Sequence, residues 1–145
     1  MLSWEKKLSG IDIGQESFHT CFGCGRDNPV GLKLEFIKDG SEARSEFTIS
    51  KLYEGWNGFV HGGILCTILD EAMAYTFFPK IKGVTVKAEF RFRRPAPVGV
   101  PMVVTARLVR KTRKLLTTHA TITFKDGTVV AESSGQAYVV NSKQG

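Results

Sequence analysis

The sequence predicts an α+β domain: one long central helix wrapped by a curved antiparallel sheet of about six strands. Three observations carry this reading. Alternating apolar and polar stretches flank a single apolar run at residues 61–78, short turns separate the successive strands, and no other segment is long and apolar enough to cover a sheet. Consecutive strands joined by short turns pair antiparallel, and the apolar face of such a sheet needs a cover.

Taken in order, a leading arm occupies residues 1–30. Leu32, Leu34 and Phe36 then alternate with polar residues, and so do Ala43, Ser45, Phe47 and Ile49, with Lys38-Asp39-Gly40-Ser41 as the turn between two strands. The apolar run follows and supplies the central helix. Four strands are expected over residues 83–140. In the first, Val84, Val86, Ala88, Phe90 and Phe92 face one way, and Thr85, Lys87, Glu89, Arg91 and Arg93 face the other. Pro95-Ala96-Pro97-Val98-Gly99 ends that strand, the basic turn KTRK joins the next two, and Lys125-Asp126-Gly127 signals the last hairpin. With 145 residues and no repeats or linkers, residues 1–145 read as a single domain.

Composition is that of an ordinary globular protein, with 42% hydrophobic and 23% charged residues. No run reaches the roughly 18 uncharged apolar residues of a membrane span. The N-terminal stretch lacks the apolar core of a secretory signal, so a cytoplasmic protein with no membrane partner is expected. The net charge of +6 favours an anionic partner, either nucleic acid or a phosphate-bearing small molecule. The aromatics lie in the core alternation and not among the basic residues, so no nucleic-acid partner is expected. Cys21 and Cys24 form C-x-x-C, but no second C-x-x-C or H-x-x-H follows to complete a zinc site. Reduced structural thiols, with no metal and no cofactor, are therefore the expectation.

The helix is apolar beyond one stripe, including Ile64, Leu65, Ile68, Leu69, Ala72, Met73, Ala74, Tyr75, Phe77 and Phe78. A helix apolar all round is buried all round, and a single sheet covers one side, so a second subunit is expected on the other. Its start, His61-Gly62-Gly63, presents backbone N–H groups that lack intrahelical partners, at the positive end of the macrodipole. The glycines leave those groups open, which suits a carbonyl oxygen gaining negative charge; a tight turn with close packing is the structural alternative. Asp70, beside Thr67 on the one polar stripe, is a candidate base or nucleophile, or else a partnered structural acid. Glu71 either turns to solvent or pairs with a neighbouring cation. His61 and Asp70 lie about 13 Å apart along the axis and about half a turn apart around it, so they serve one reacting atom only from different subunits.

The stretches GWNGFVHGGILCTILDEAMA and GVTVKAEFRFRRPAPVG closely resemble the hotdog-fold thioesterases of the PaaI-like acyl-CoA group, and CFGCGRDNPVGLKLEF resembles a leading segment found in that group. The resemblance covers about residues 20–140 and rests on H-G-G with an acid nine positions after the His. It implies homodimers, often paired into homotetramers, that hydrolyse acyl-CoA at the subunit interface. It further implies Gly62 as the oxyanion-hole donor, His61 as an orienting residue, Asp70 as nucleophile or base, and Thr85 as a residue orienting water. Family members often carry Gln or Asn six or seven positions before the His; here Gly55 and Glu54 stand there, and Glu54 is either the candidate catalytic residue in that role, although a carboxylate cannot donate unless protonated, or an exposed loop acid. The resemblance also implies CoA phosphate contacts at Lys111, Arg113 and Lys114, with Arg91, Arg93 and Arg94 as a second cluster. The reading is an acyl-CoA thioesterase. Its rivals are an enoyl-thioester hydratase, against which the H-G-G…D spacing argues, and a non-catalytic acyl-CoA-binding or sensing protein, which Glu54 favours.

Overall fold

The computed structural model describes residues 19–140; the first 18 residues of the expected leading arm, and residues 141–145, lie outside the described residues. The elements are β1 (Ile37–Asp39), β2 (Glu42–Phe47), α1 (Gly62–Tyr75), β3 (Gly83–Phe92), β4 (Met102–Lys111), β5 (Leu115–Phe124) and β6 (Val129–Val139). They form one six-stranded sheet in the order β1-β2-β4-β5-β6-β3, and every neighbouring pair is antiparallel. No helix among the described residues is long and apolar enough to cross a membrane.

Helix α1 buries Leu65, Ile68, Leu69, Ala72 and Met73, the i, i+3, i+4, i+7 stripe of an amphipathic helix. That stripe packs against Met102 and Val104 of β4, Ala120 and Ile122 of β5, and Val130 and Ala131 of β6. Burial all round, as the sequence predicts, is not what one chain achieves. Gly63 is exposed, and Cys66, Thr67, Asp70 and Ala74, which lie outside the buried stripe, are only half-buried. Trp56 at 86% and Phe92 at 53% exposure leave further apolar area uncovered near the start of the helix. The helix also ends earlier than expected, at Tyr75. The buried Thr76 hydroxyl donates to the Met73 carbonyl at 2.7 Å, and Pro79 disfavours a helical Phe78.

The stretch Leu32–Phe36 is not the strand expected. Lys33 takes φ of 54°, in the left-handed region, which breaks an extended run, and pairing begins only at Ile37. The alternation still does its packing work, because Leu34 is buried and Leu32 and Phe36 lie against the core. The β5–β6 turn is as expected: Gly127 takes φ of 91° and the Asp126 carboxylate accepts the Thr128 N–H at 2.9 Å.

A second departure matters more. Strict alternation in β3 fails at Val86, where a bulge shifts the register: Thr85 pairs with Ala137, but Lys87 pairs with Gln136. Directly opposed residues in an antiparallel pair share a face, and Ala137 belongs to the core. Thr85 therefore stands on the helix side, together with Ala88 and Phe90. Its expected place was the outer face beside Lys87 and Glu89.

Candidate active site

His61 caps the helix. Its backbone is extended, its N–H donates to the Tyr53 carbonyl at 3.0 Å, and its Nδ1 accepts the Gly63 N–H at 2.9 Å. The Gly62 N–H beside it makes no hydrogen bond among the described residues, and Gly62 is exposed. It opens onto a groove of about 640 Å³ lined in part by Trp56, Phe59, Phe92 and Arg93. A methyl group placed on Gly62 would meet nothing nearer than the Phe92 ring at 3.9 Å, so no close packing demands glycine there. Among the described residues nothing packs closely against Gly62, and its N–H faces the groove without an intrahelical partner.

The loop ahead of the helix is held by backbone. Glu54 and Val60 form a bridge, the Val60 N–H donates to the Ala96 carbonyl at 2.7 Å, and the Glu54 carboxylate accepts the Gly58 N–H at 2.9 Å. Glu54 thus secures the turn that delivers His61.

Asp70 sits two turns further along α1. The Thr85 hydroxyl donates to its Oδ1 at 2.9 Å, a contact that the β3 bulge makes possible. Burial pushes the Asp70 carboxyl above its ordinary value, and the Thr85 hydrogen bond opposes that rise. A carboxylate so placed is a stronger base than an exposed one. Gly62 and Asp70 are about 12 Å apart along the helix, so one chain does not bring them together.

The cationic candidates divide the same way. Arg93 follows β3 beside the Gly62 groove, where its Nε donates to Glu132 at 2.6 Å. That guanidinium holds the Glu132 carboxyl below its usual value. Lys111, Arg113 and Lys114 are exposed at the β4–β5 turn, at the other end of the sheet. Strand β3, running from Gly83 to Phe92, separates the two ends by about 30 Å. Thr85 belongs to the second end, since it pairs with Ala137, Ala137 with Leu116, and Leu116 with Lys111. Each chain therefore keeps two groups of candidate residues apart: His61, Gly62 and Arg93 at one end, Asp70, Thr85 and the basic turn at the other.

The sequence profile of the thioesterase superfamily matches residues 57–131, just over half of the chain and the stretch that holds both groups of candidate residues. The chain belongs to the thioesterase superfamily. Its fold is the hotdog fold shared by solved members. PaaI from the E. coli phenylacetic acid degradation operon is 21% identical, with a TM-score of 0.72 over 77% of this chain and 82% of that one. The Streptococcus mutans protein smu.793, solved with acetyl-CoA, is 16% identical, with a TM-score of 0.73 over 82% and 98%. A hypothetical thioesterase from Streptococcus pneumoniae, solved with coenzyme A, is 17% identical, with a TM-score of 0.71 over 77% and 88%. No curated protein matches the chain at a significant level.

One feature of this superfamily member escapes a reading by motif. Glu71, next to Asp70, turns neither to solvent nor to a cation: the Cys21 thiol donates to its Oε1 at 3.3 Å. Burial raises the Glu71 carboxyl and takes the Cys24 thiol up to about 12, and it also raises the Tyr75 hydroxyl beside Cys24. Gly23 and Gly25 permit this approach. A Cβ on Gly23 would lie 2.3 Å from Glu71 Cγ, and one on Gly25 would lie 2.4 Å from the Cys21 nitrogen. The signal in the sequence was a C-x-x-C together with a mid-helix acid 47 positions beyond its second cysteine (Cys24 to Glu71). A search for a second His or Cys pair passes over it.

Proposed function

We propose that this chain hydrolyses acyl-CoA thioesters, at a site that two subunits complete. The observation that carries the proposal is the division of one helix into an orphan N–H at Gly62 and a desolvated, hydroxyl-bonded carboxylate at Asp70. In a homodimer with antiparallel α1 helices, Gly62 of one chain faces Asp70 of the other, and the half-buried face of each helix is covered. The Gly62 N–H takes the thioester oxygen, aided by the helix dipole. His61 fixes the helix start, and Glu54 fixes the loop behind it. Asp70 removes a proton from water that Thr85 helps to orient. The water oxygen bonds to the carbonyl carbon, the carbon–sulfur bond breaks, and the CoA thiolate leaves with its electron pair. In a variant of this route, Asp70 itself attacks and water opens the resulting anhydride.

The basic balance has a use in this scheme. Lys111, Arg113 and Lys114 of the Asp70-bearing chain and Arg93 of the Gly62-bearing chain flank one composite site, where they suit the phosphates of CoA. The relatives solved with CoA or acetyl-CoA support that ligand class.

The test is thiol release from a panel of acyl-CoAs of graded length, with aromatic acyl groups included, for wild type beside Asp70→Asn. The proposal expects turnover of at least one ester and a fall of at least about 100-fold in the variant, the usual cost of losing a catalytic base. Equal rates would remove Asp70 from the reaction. A second reading, an acyl-CoA-binding protein without turnover, draws on Glu54, a carboxylate occupied by the Gly58 N–H where an amide donor would otherwise reach a ligand. Tight binding of CoA esters with no thiol release by wild type would favour it.

A further inference from the structure

We propose that Cys21, Cys24 and Glu71 form a site for a thiophilic divalent metal ion of the zinc type, clamping the leading segment onto α1 one residue beyond Asp70. The two sulfurs and a carboxylate oxygen all lie within 4.8 Å of one another. Tetrahedral zinc with two thiolates and a carboxylate needs about 3.8 Å between sulfurs and about 3.6 Å from sulfur to oxygen. The Cys21–Glu71 separation of 3.3 Å is already close to that, so small side-chain rotations complete the geometry.

Three further features set this cluster apart from a chance grouping. The Gly25 N–H closes a tight turn onto the Cys21 carbonyl at 2.8 Å, which aims both sulfurs of C-x-x-C-G the same way. Gly23 and Gly25 are places where any larger residue would collide with Glu71 or with the turn backbone. A cavity of about 100 Å³ borders the cluster, lined by Cys21, Cys24, Glu71, Tyr75 and Lys82 among others. It has room for a water as the fourth ligand. The sequence expectation of no metal rested on the lack of a second local pair; the fold brings the third donor from a different element.

Binding is redox-neutral. The two thiols release their protons to solvent, the thiolates and the Glu71 carboxylate coordinate the ion, and one net negative charge remains.

The experiment uses the full chain, stripped with a chelator and kept under reductant. Zn²⁺ affinity is read by competition with a chromophoric chelator, and Co²⁺ is added as a spectroscopic substitute. We expect one Zn²⁺ per chain and a thiolate-to-Co²⁺ charge-transfer absorption. Cys21→Ser and Cys24→Ser should abolish that absorption, while Cys66→Ser should bind as wild type does. Glu71→Gln should keep the thiolate absorption and weaken Zn²⁺ by at least about 10-fold. Because the Co²⁺ spectrum is taken on wild type, a variant that fails to fold does not decide the matter. Folded, reduced wild type that takes up neither ion overturns the proposal. So does binding that survives both cysteine changes, or a purified mass two hydrogens light, which would mean a disulfide. Unchanged Zn²⁺ affinity in Glu71→Gln would remove the carboxylate and with it the site as drawn.

Discussion

Asp70 and Glu71 are adjacent carboxylates on one helix, yet they face two different regions of the molecule. Asp70 looks toward β3, where its partner is the Thr85 hydroxyl and where, in the proposed function, a second subunit completes the surroundings. Glu71 looks toward the leading segment, where a cysteine turn closes over it. Burial raises both carboxyls, by the same cause. What separates them is what they meet: Asp70 accepts from a hydroxyl of β3, whereas Glu71 accepts from a thiol of the leading segment and lines a cavity with it. A perturbed pKa alone therefore does not identify a reacting group; it needs an approach path as well.

Substituting each acid in turn breaks the comparison most sharply. Asp70→Asn is expected to lower kcat for the best acyl-CoA at least about 100-fold, whereas Glu71→Gln should stay within about 10-fold of wild type. Comparable losses in both variants, measured under identical conditions, would mean that the two faces are not functionally distinct.

Next in size is the packing of the cysteine turn. Gly25→Ala sets a Cβ against backbone on two sides, 2.4 Å from the Cys21 nitrogen and 2.5 Å from the His19 carbonyl oxygen. It should cost about 1–3 kcal/mol in thermal or denaturant unfolding. A stability equal to wild type would show that the turn yields easily and does not confine Glu71.

The pH dependence follows from the two raised carboxyls. Each has an ordinary value near 3.8 for Asp70 or 4.5 for Glu71, and each is higher in the folded chain. Above the ordinary value the folded state holds more protons than the unfolded one, so stability falls as pH rises through the folded value. In metal-free protein, Asp70→Asn and Glu71→Gln should each flatten that fall and raise Tm at pH 7. Removing the Thr85 hydroxyl with Thr85→Val withdraws the bond that opposes the rise at Asp70 alone. The acid limb of the pH–rate profile should then move to higher pH, with no matching change on mutation near Glu71.

The smallest effect belongs to a site far from both acids. The Ser45 hydroxyl is buried without a hydrogen-bond partner among the described residues, so Ser45→Ala should leave stability unchanged or raise it by about 1 kcal/mol. A clear loss, read from the denaturation midpoint, would mean the hydroxyl is satisfied after all.

Much of this was legible in the chain. The helix, the strands and their antiparallel order follow from apolar periodicity and turn residues, because burial selects those periods locally. The pattern His61-Gly62-Gly63 with Asp70 marks both ends of the candidate chemistry, and the superfamily profile spans the same stretch. The expected strand at Leu32–Phe36 fails because one residue, Lys33, adopts a left-handed conformation that no hydrophobic pattern encodes. Alternation in β3 misplaces Thr85 because a bulge at Val86 inverts the phase, and bulges arise from pairing with β6. The sequence by itself determined which residues are apolar, which are acidic and how far apart they lie along the chain. That Gly62 and Asp70 stay apart within one chain follows from helical rise alone, but that Thr85 meets Asp70 and Cys21 meets Glu71 was settled by the packed fold. Those contacts join positions 15 and 50 residues apart, and such distances are closed by packing rather than by any local propensity.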